Sequence, residues 1–287
     1  MTTIIASGGF DNLHSRHVRF LEEASKLGDL HVLLWSDALI RNRTGQPPKF
    51  PQDERRYLVE AIRFVNRVTL VDGTGSPTEL TGLAEHLSGL PGIWAVDEAD
   101  DTPEIRDDCA RRGIGYRVFT AAELAGFPGG RGQGAGGRGQ GSGGGEQEAV
   151  GHPSVIVTGC YDWLHSGHVR FFEEASSYGA LIVAAGNDAN VRNLKGPGHP
   201  LQTQDERRYM VGAIRYVSLA LITTGWGWLD AEPEIARLKP DIYLVNEDGD
   251  KPEKREFCAT HGLQYVVLKR TPKEGLPRRS STDLRGF

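Results

Sequence analysis

The chain has 287 residues, 38% hydrophobic and 25% charged, a globular composition with length for about two domain cores. Its formal net charge of −5 gives no global basic field, so nucleic acid and anionic membranes are not expected partners and any phosphate binding must be local. Cys109, Cys160 and Cys258 lie far apart and outside any CxxC, against a disulfide framework or a structural zinc site; without a leader-like start or an apolar run near about 18 residues, a cytoplasmic protein is expected.

In chain order, the first landmark is "GGFDNLHSRHVR" at residues 8–19, which runs on as "HVRFLEEAS". "QDERRYLVEAIRFV" follows at 52–65 and "VDEADDTPEIRDDC" at 96–109. After "GYRVFTAAELAGFPGG" the chain enters a Gly, Gln, Arg and Ser tract that can bury almost nothing, expected to be a flexible tether over 129–150. Beyond it the landmarks return in order: "GCYDWLHSGHVR" at 159–170, "QDERRYMVGAIRYV" at 204–217 and "VNEDGDKPEKREFC" at 245–258. The offset drifts only from 151 to 152 to 149, so the chain is a duplication of one domain-sized unit. The expected domains are 1–128 and 151–287.

Within the second unit, "SVIVTG" (154–159) is a short β-branched run ending in Gly, and "HVRFFEEASSYG" has Val169, Phe172 and Ala175 at helical spacing. "ALIVAAG" reads as a second buried strand. "QDERRYMVGAIRYV" reads as a helix whose stripe is Met210, Val211, Ile214 and Val217, and "DIYLVN" and "QYVVLK" read as later strands. Strands alternating with helices of about 10 to 14 residues imply βαβ units, hence an α/β fold with parallel sheets and ligands at the carboxyl ends of strands. His165 and His168 fall there, at a helix start whose unpaired N–H groups favour phosphate, with Gly167 leaving room for a nucleotide.

"GCYDWLHSGH" resembles the HxGH signature of the cytidylyltransferase-like nucleotidyltransferases, and "RRSSTDLR" (278–285) resembles their second signature, with Arg279 at the usual isoleucine place. The group includes glycerol-3-phosphate and ethanolamine-phosphate cytidylyltransferases and heptose-phosphate adenylyltransferases. The resemblance covers 151–287 and implies two tandem Rossmann-like domains, the first degenerate, paired as a pseudo-dimer, with further pairing of chains open. It also implies that a phosphate-bearing acceptor attacks the α-phosphorus of a nucleoside triphosphate, with Mg²⁺ held mainly by the phosphates and pyrophosphate released. No metal ligand is assigned to the protein.

Carried over position by position, the resemblance places His165, His168, Lys195 and Arg215 in catalysis. Gly159, Cys160, Tyr161, Gly167, Asn246, Asp248, Arg270, Ser280, Ser281 and Thr282 are placed with the nucleotide, and Asp162, Lys195, Arg207 and Trp226 with the acceptor, while Asp162, just ahead of the histidines, is also expected to shape the turn or orient a neighbour rather than to catalyse. Cys160 lacks a basic partner and reads as a small buried residue rather than a nucleophile. CTP is favoured over ATP. In the first unit, "HSRH" carries Arg16 in place of glycine, Thr44 stands near the lysine position and no SST segment follows, so that unit is expected not to catalyse. A non-catalytic nucleotide-binding regulator is the alternative reading, and a scaffold whose first unit binds a partner is a third.

Overall fold

A computed structural model describes residues 2–73, 92–128 and 153–281, together with 76, 79, 81, 82 and 284. The expected tether lies outside the described residues. The chain divides into two compact units, 1–126 and 127–286.

Each unit is a five-stranded parallel sheet with helices between its strands. In the first, β1 (Thr3–Gly8), β2 (Asp29–Trp35), β3 (Arg67–Val71), β4 (Ile93–Asp97) and β5 (Gly115–Phe119) are ordered β3-β2-β1-β4-β5. In the second, β6 (Ser154–Gly159), β7 (Ala180–Ala185), β8 (Leu219–Ile222), β9 (Ile242–Asn246) and β10 (Gln264–Leu268) are ordered β10-β9-β6-β7-β8. Counted within each unit the order is the same, two tandem Rossmann-like sheets. The central strand of the second unit is covered on both faces: Val155, Ile156 and Val157 are fully buried, as the β-branched run predicts.

The strand order reverses between β6 and β9, and that reversal makes the crevice. β6 pairs with β7 along all of Ser154 to Gly159 but with β9 only at Val155 and Ile156, so past Ile156 the two strands part. The helix Ser166–Ser176 starts directly above the gap, one tight turn after β6.

The helix expected to run to Val217 stops earlier, as Gln204–Gly212. The chain must turn back into β8, and two further turns, Ile214 N–H to the Val211 carbonyl and Val217 N–H to the Ile214 carbonyl, both 3.1 Å, still bury both side chains. Arg215 therefore lies exposed in the turn that enters the amino end of β8, not on a helix facing the crevice.

Arg207, expected to meet the acceptor, is instead a fully buried strut. Its guanidinium donates to the carbonyls of Gln202 (3.1 Å), Cys160 (2.6 Å) and Gly186 (2.7 Å) and to Asp188 (2.7 Å). It ties the carboxyl ends of β6 and β7 to the loop ahead of its own helix. The first unit repeats the device: Arg55 donates to the carbonyls of Phe50 (2.9 Å), Gly9 (2.6 Å) and Trp35 (2.8 Å) and to Asp37 (2.7 Å). Asp162, also expected at the acceptor, is buried and pins the same loop, accepting from the N–H of Leu201 (2.7 Å) and Gln202 (3.0 Å) and lying 3.2 Å from His199 Nδ1. Asp11 does likewise with the N–H groups of Lys49 and Phe50.

Removing one partner from such a buried charged network strands the rest. Arg207→Ala is expected to lower unfolding free energy by about 3–5 kcal/mol, read as a fall in the urea midpoint, with Arg55→Ala doing the same to the first unit. Unchanged stability with loss of activity alone would mark Arg207 as ligand-facing.

Candidate nucleotide cleft

The site grows from the turn that ends β6. His165 is the N-cap of Ser166–Ser176: its backbone is extended (φ −140°, ψ 172°) and its Nδ1 accepts the Gly167 N–H at 3.1 Å, which assigns the ring proton to Nε2. One turn on, the His168 ring stacks on it with centroids 3.9 Å apart. Burial, then His165, Arg270 and Lys195, hold the His168 pKa well below the usual histidine range, so this ring is a neutral donor at physiological pH.

Position 167 sits where the helix start meets the C-terminal segment. A Cβ there would come within 3.0 Å of the His165 ring and 3.4 Å of the Arg279 carbonyl. That carbonyl also accepts from Arg270 Nη2 at 2.8 Å, while Arg270 Nη1 bonds Asp248 at 2.8 Å.

A cleft of about 290 Å³ opens at the carboxyl ends of the second sheet. Of the residues expected to meet ligands, Gly159, Cys160, Tyr161, His168, Lys195, Asn246, Asp248 and Ser281 line it. Lys195 reaches it from the last turn of Asp188–Lys195. Gly167 and Arg270 line an adjoining small hollow with Arg170, Lys269, Arg278 and Arg279, and Asn246 borders both. The Tyr161 hydroxyl, on a side chain only 5% exposed, has no hydrogen-bond partner among the described residues. Burial raises the Cys160 thiol pKa, against its serving as a nucleophile.

Other expected residues do not line these spaces or lie outside the described residues. Trp226 is 59% exposed and off the cleft; Trp228, after the tight turn at Gly227, lines it instead. Ser280 lines neither space, Thr282 lies outside the described residues, and Arg207, Asp162 and Arg215 are placed as above. Asn190, Asp230 and Lys254 line the cleft although the residue patterns single out none of them. Residue-by-residue comparison of the two units would have found two of these, since Asn190 stands where the first unit has Leu39, and Lys254 where it has Ile105.

The first unit keeps the stacked pair, His14 on His17 at 3.9 Å, but fills the space beside it. Arg16 makes a two-pronged ion pair with Asp97 (2.6 and 2.7 Å) across the gap between β1 and β4, the positions of Gly167 and Asn246. Trp35 stands where the second unit has Gly186, its Nε1 donating to Ser7 at 2.8 Å and the Arg43 guanidinium 4.3 Å over its ring. It packs against a cluster that includes Leu39, Trp94 and Ile105.

Among the described residues, no cluster of three or more His, Cys, Asp or Glu side chains gathers to hold a metal, and no helix is long and apolar enough to cross a membrane. The chain is similar to the Bifunctional protein HldE of Azotobacter vinelandii, 32% identical over 142 residues (48% of this chain, 28% of that one). It is 37% identical to that of Pseudomonas fluorescens over 133 residues (45% and 26%). The match thus spans about a quarter of these curated relatives. A lipopolysaccharide core biosynthesis protein from Thermoplasma volcanium, solved by crystallography, aligns over 43% of this chain and 100% of its own at 23% identity and a TM-score of 0.36. The profile described as Cytidylyltransferase-like matches residues 5–87 and 156–287, spanning much of both sheets, and the chain belongs to that family.

Proposed function

We propose that residues 151–287 transfer a nucleotidyl group from a nucleoside triphosphate to a phosphorylated small molecule, a sugar, polyol or amino-alcohol phosphate, releasing pyrophosphate. The observation that carries this is the stacked His165–His168 pair at a helix start, with Gly167 facing the Arg279 carbonyl and an open cleft beside it. An acceptor phosphate is already an anionic nucleophile, so no general base is required. Its oxygen attacks the α-phosphorus in line, the new P–O bond forms as the bond to pyrophosphate breaks, and the protein's part is positioning and charge neutralisation.

Imidazole N–H groups, the helix N-terminus and Lys195 supply donors where charge builds on the phosphoryl oxygens. Asn246 and Arg270 border the space left to the nucleoside. Mg²⁺ carried by the triphosphate would offset phosphate charge. The expected preference for CTP is left to the test, in which both triphosphates serve as donors.

Pyrophosphate release by the purified protein, with CTP or ATP against a panel of sugar, polyol and amino-alcohol phosphates, checks the reading. His165→Ala and His168→Ala are each expected to slow turnover by about 10²-fold or more, and His14→Ala to leave it unchanged. Triphosphate binding without turnover of any acceptor would point to the regulator instead.

The histidine pairs also predict a pH signature. Burial holds His17 at about 4 and His168 well below 6.5. A ring whose folded pKa lies under its unfolded value of about 6.5 binds fewer protons when folded, so stability falls as pH drops below about 6.5 and is unaffected by these rings above it. Imidazole NMR titration should show His17 half-protonated near 4 and His168 neutral at pH 6. A midpoint near 6.5 for either would contradict the burial argument.

A further inference from the structure

The inner wall of the cleft carries a polar cluster that the transfer step leaves unused. Lys254, in the first turn of Pro252–His261, is only 6% exposed; its Nζ donates to Thr158 Oγ1 at 3.2 Å and lies 5.4 Å from the Tyr243 ring centre. Burial lowers its pKa, and Asp230 opposes that shift. Asp230 is 8% exposed; its Oδ2 accepts from Thr223 Oγ1 (2.8 Å) and Asn190 Nδ2 (3.1 Å). Among the described residues Asp230 Oδ1 has no hydrogen-bond partner, and the ammonium has a single one for its three donors. Hydrogen-bonding capacity of both signs therefore faces one end of the cleft, beside the exposed ring of Trp228.

The fold does not require this cluster. The first unit builds the same strand order with Leu39 at the position of Asn190, Ile105 at that of Lys254 and Trp35 at that of Gly186, all in one apolar cluster. Burying an ammonium and a carboxylate with unfilled hydrogen-bonding capacity costs free energy that the apolar version avoids. A ligand that completes those bonds offsets the cost.

We propose that Lys254, Asp230 and Asn190 read hydroxyl groups of the acceptor against Trp228, so that the substrate is a polyhydroxylated phosphate, a sugar or polyol phosphate, and not an amino-alcohol phosphate. This rests on the transferase reading above and narrows its acceptor. A hydroxyl both donates and accepts, matching an ammonium beside a carboxylate, and the indole offers an apolar face to the C–H side of a sugar. The cation of an amino alcohol would approach Lys254 and also Lys251, whose Nζ lies 4.8 Å from the Trp228 ring.

The test compares wild type with Lys254→Ile, the residue the first unit carries there, and with Asp230→Asn. The probes are mannose 1-phosphate, glycerol 3-phosphate and phosphoethanolamine, with triphosphate affinity measured by calorimetry. Expected are turnover of a sugar or polyol phosphate but not of phosphoethanolamine, a tenfold or greater rise in acceptor KM in at least one folded variant, and unchanged triphosphate Kd. An unchanged acceptor KM in both variants, a weakened triphosphate Kd, or preference for phosphoethanolamine overturns the proposal. Should wild type bind triphosphate but turn over no acceptor, the transferase reading fails separately. Saturation-transfer NMR then decides the subsite: binding of mannose 1-phosphate or glycerol 3-phosphate that is lost in the variants supports it, and equal or absent binding overturns it.

Discussion

The first turn of the helix Ser166–Ser176 lies against the C-terminal segment at Gly167, a position without a side chain. A methyl group in place of hydrogen would crowd the His165 ring at 3.0 Å and stand in ordinary contact with the Arg279 carbonyl at 3.4 Å. From this close approach follow the placement of Arg270, which bonds that carbonyl, and the small hollow that joins the cleft beside Asn246. Where the first unit has Arg16 instead, the guanidinium turns across the strand gap to Asp97 and closes the same space with an ion pair.

Two layers of residues behave differently across the duplication. The buried struts Arg55 and Arg207, their partners Asp37 and Asp188, and the loop anchors Asp11 and Asp162 repeat with nearly the same geometry. They hold the carboxyl ends of the strands in register and are needed whatever the crevice contains. The lining residues diverge together: Gly186, Asn190, Tyr161 and Lys254 in one unit correspond to Trp35, Leu39, Phe10 and Ile105 in the other. The scaffold carries either lining, one packed as an apolar core and the other left open for a ligand.

This separation also explains what was legible in the sequence. The duplication, the strand–helix alternation and the bounds of β6 followed from short β-branched runs and helical periodicity, which are local signals. The resemblance alone places Arg207 and Asp162 with the acceptor, and only the packed structure shows the carbonyls and N–H groups that use them. Trp228 rather than Trp226 faces the cleft because of one tight turn at Gly227 that no periodic pattern predicts. Asn190, Asp230 and Lys254 come from separate parts of the chain, so their adjacency is tertiary. Arg215 was misplaced because its helix ends at Gly212 while the apolar stripe continues through turns.

The central claim is that one unit of the pair is open to nucleotide and the other is filled by its own side chains. Calorimetric titration of the whole chain with a non-hydrolysable CTP or ATP analogue and Mg²⁺ tests it directly. One bound nucleotide per chain is the predicted stoichiometry. Two per chain would show that Arg16, Asp97 and Trp35 do not occlude the first unit, and none would contradict the assignment of the cleft in the second.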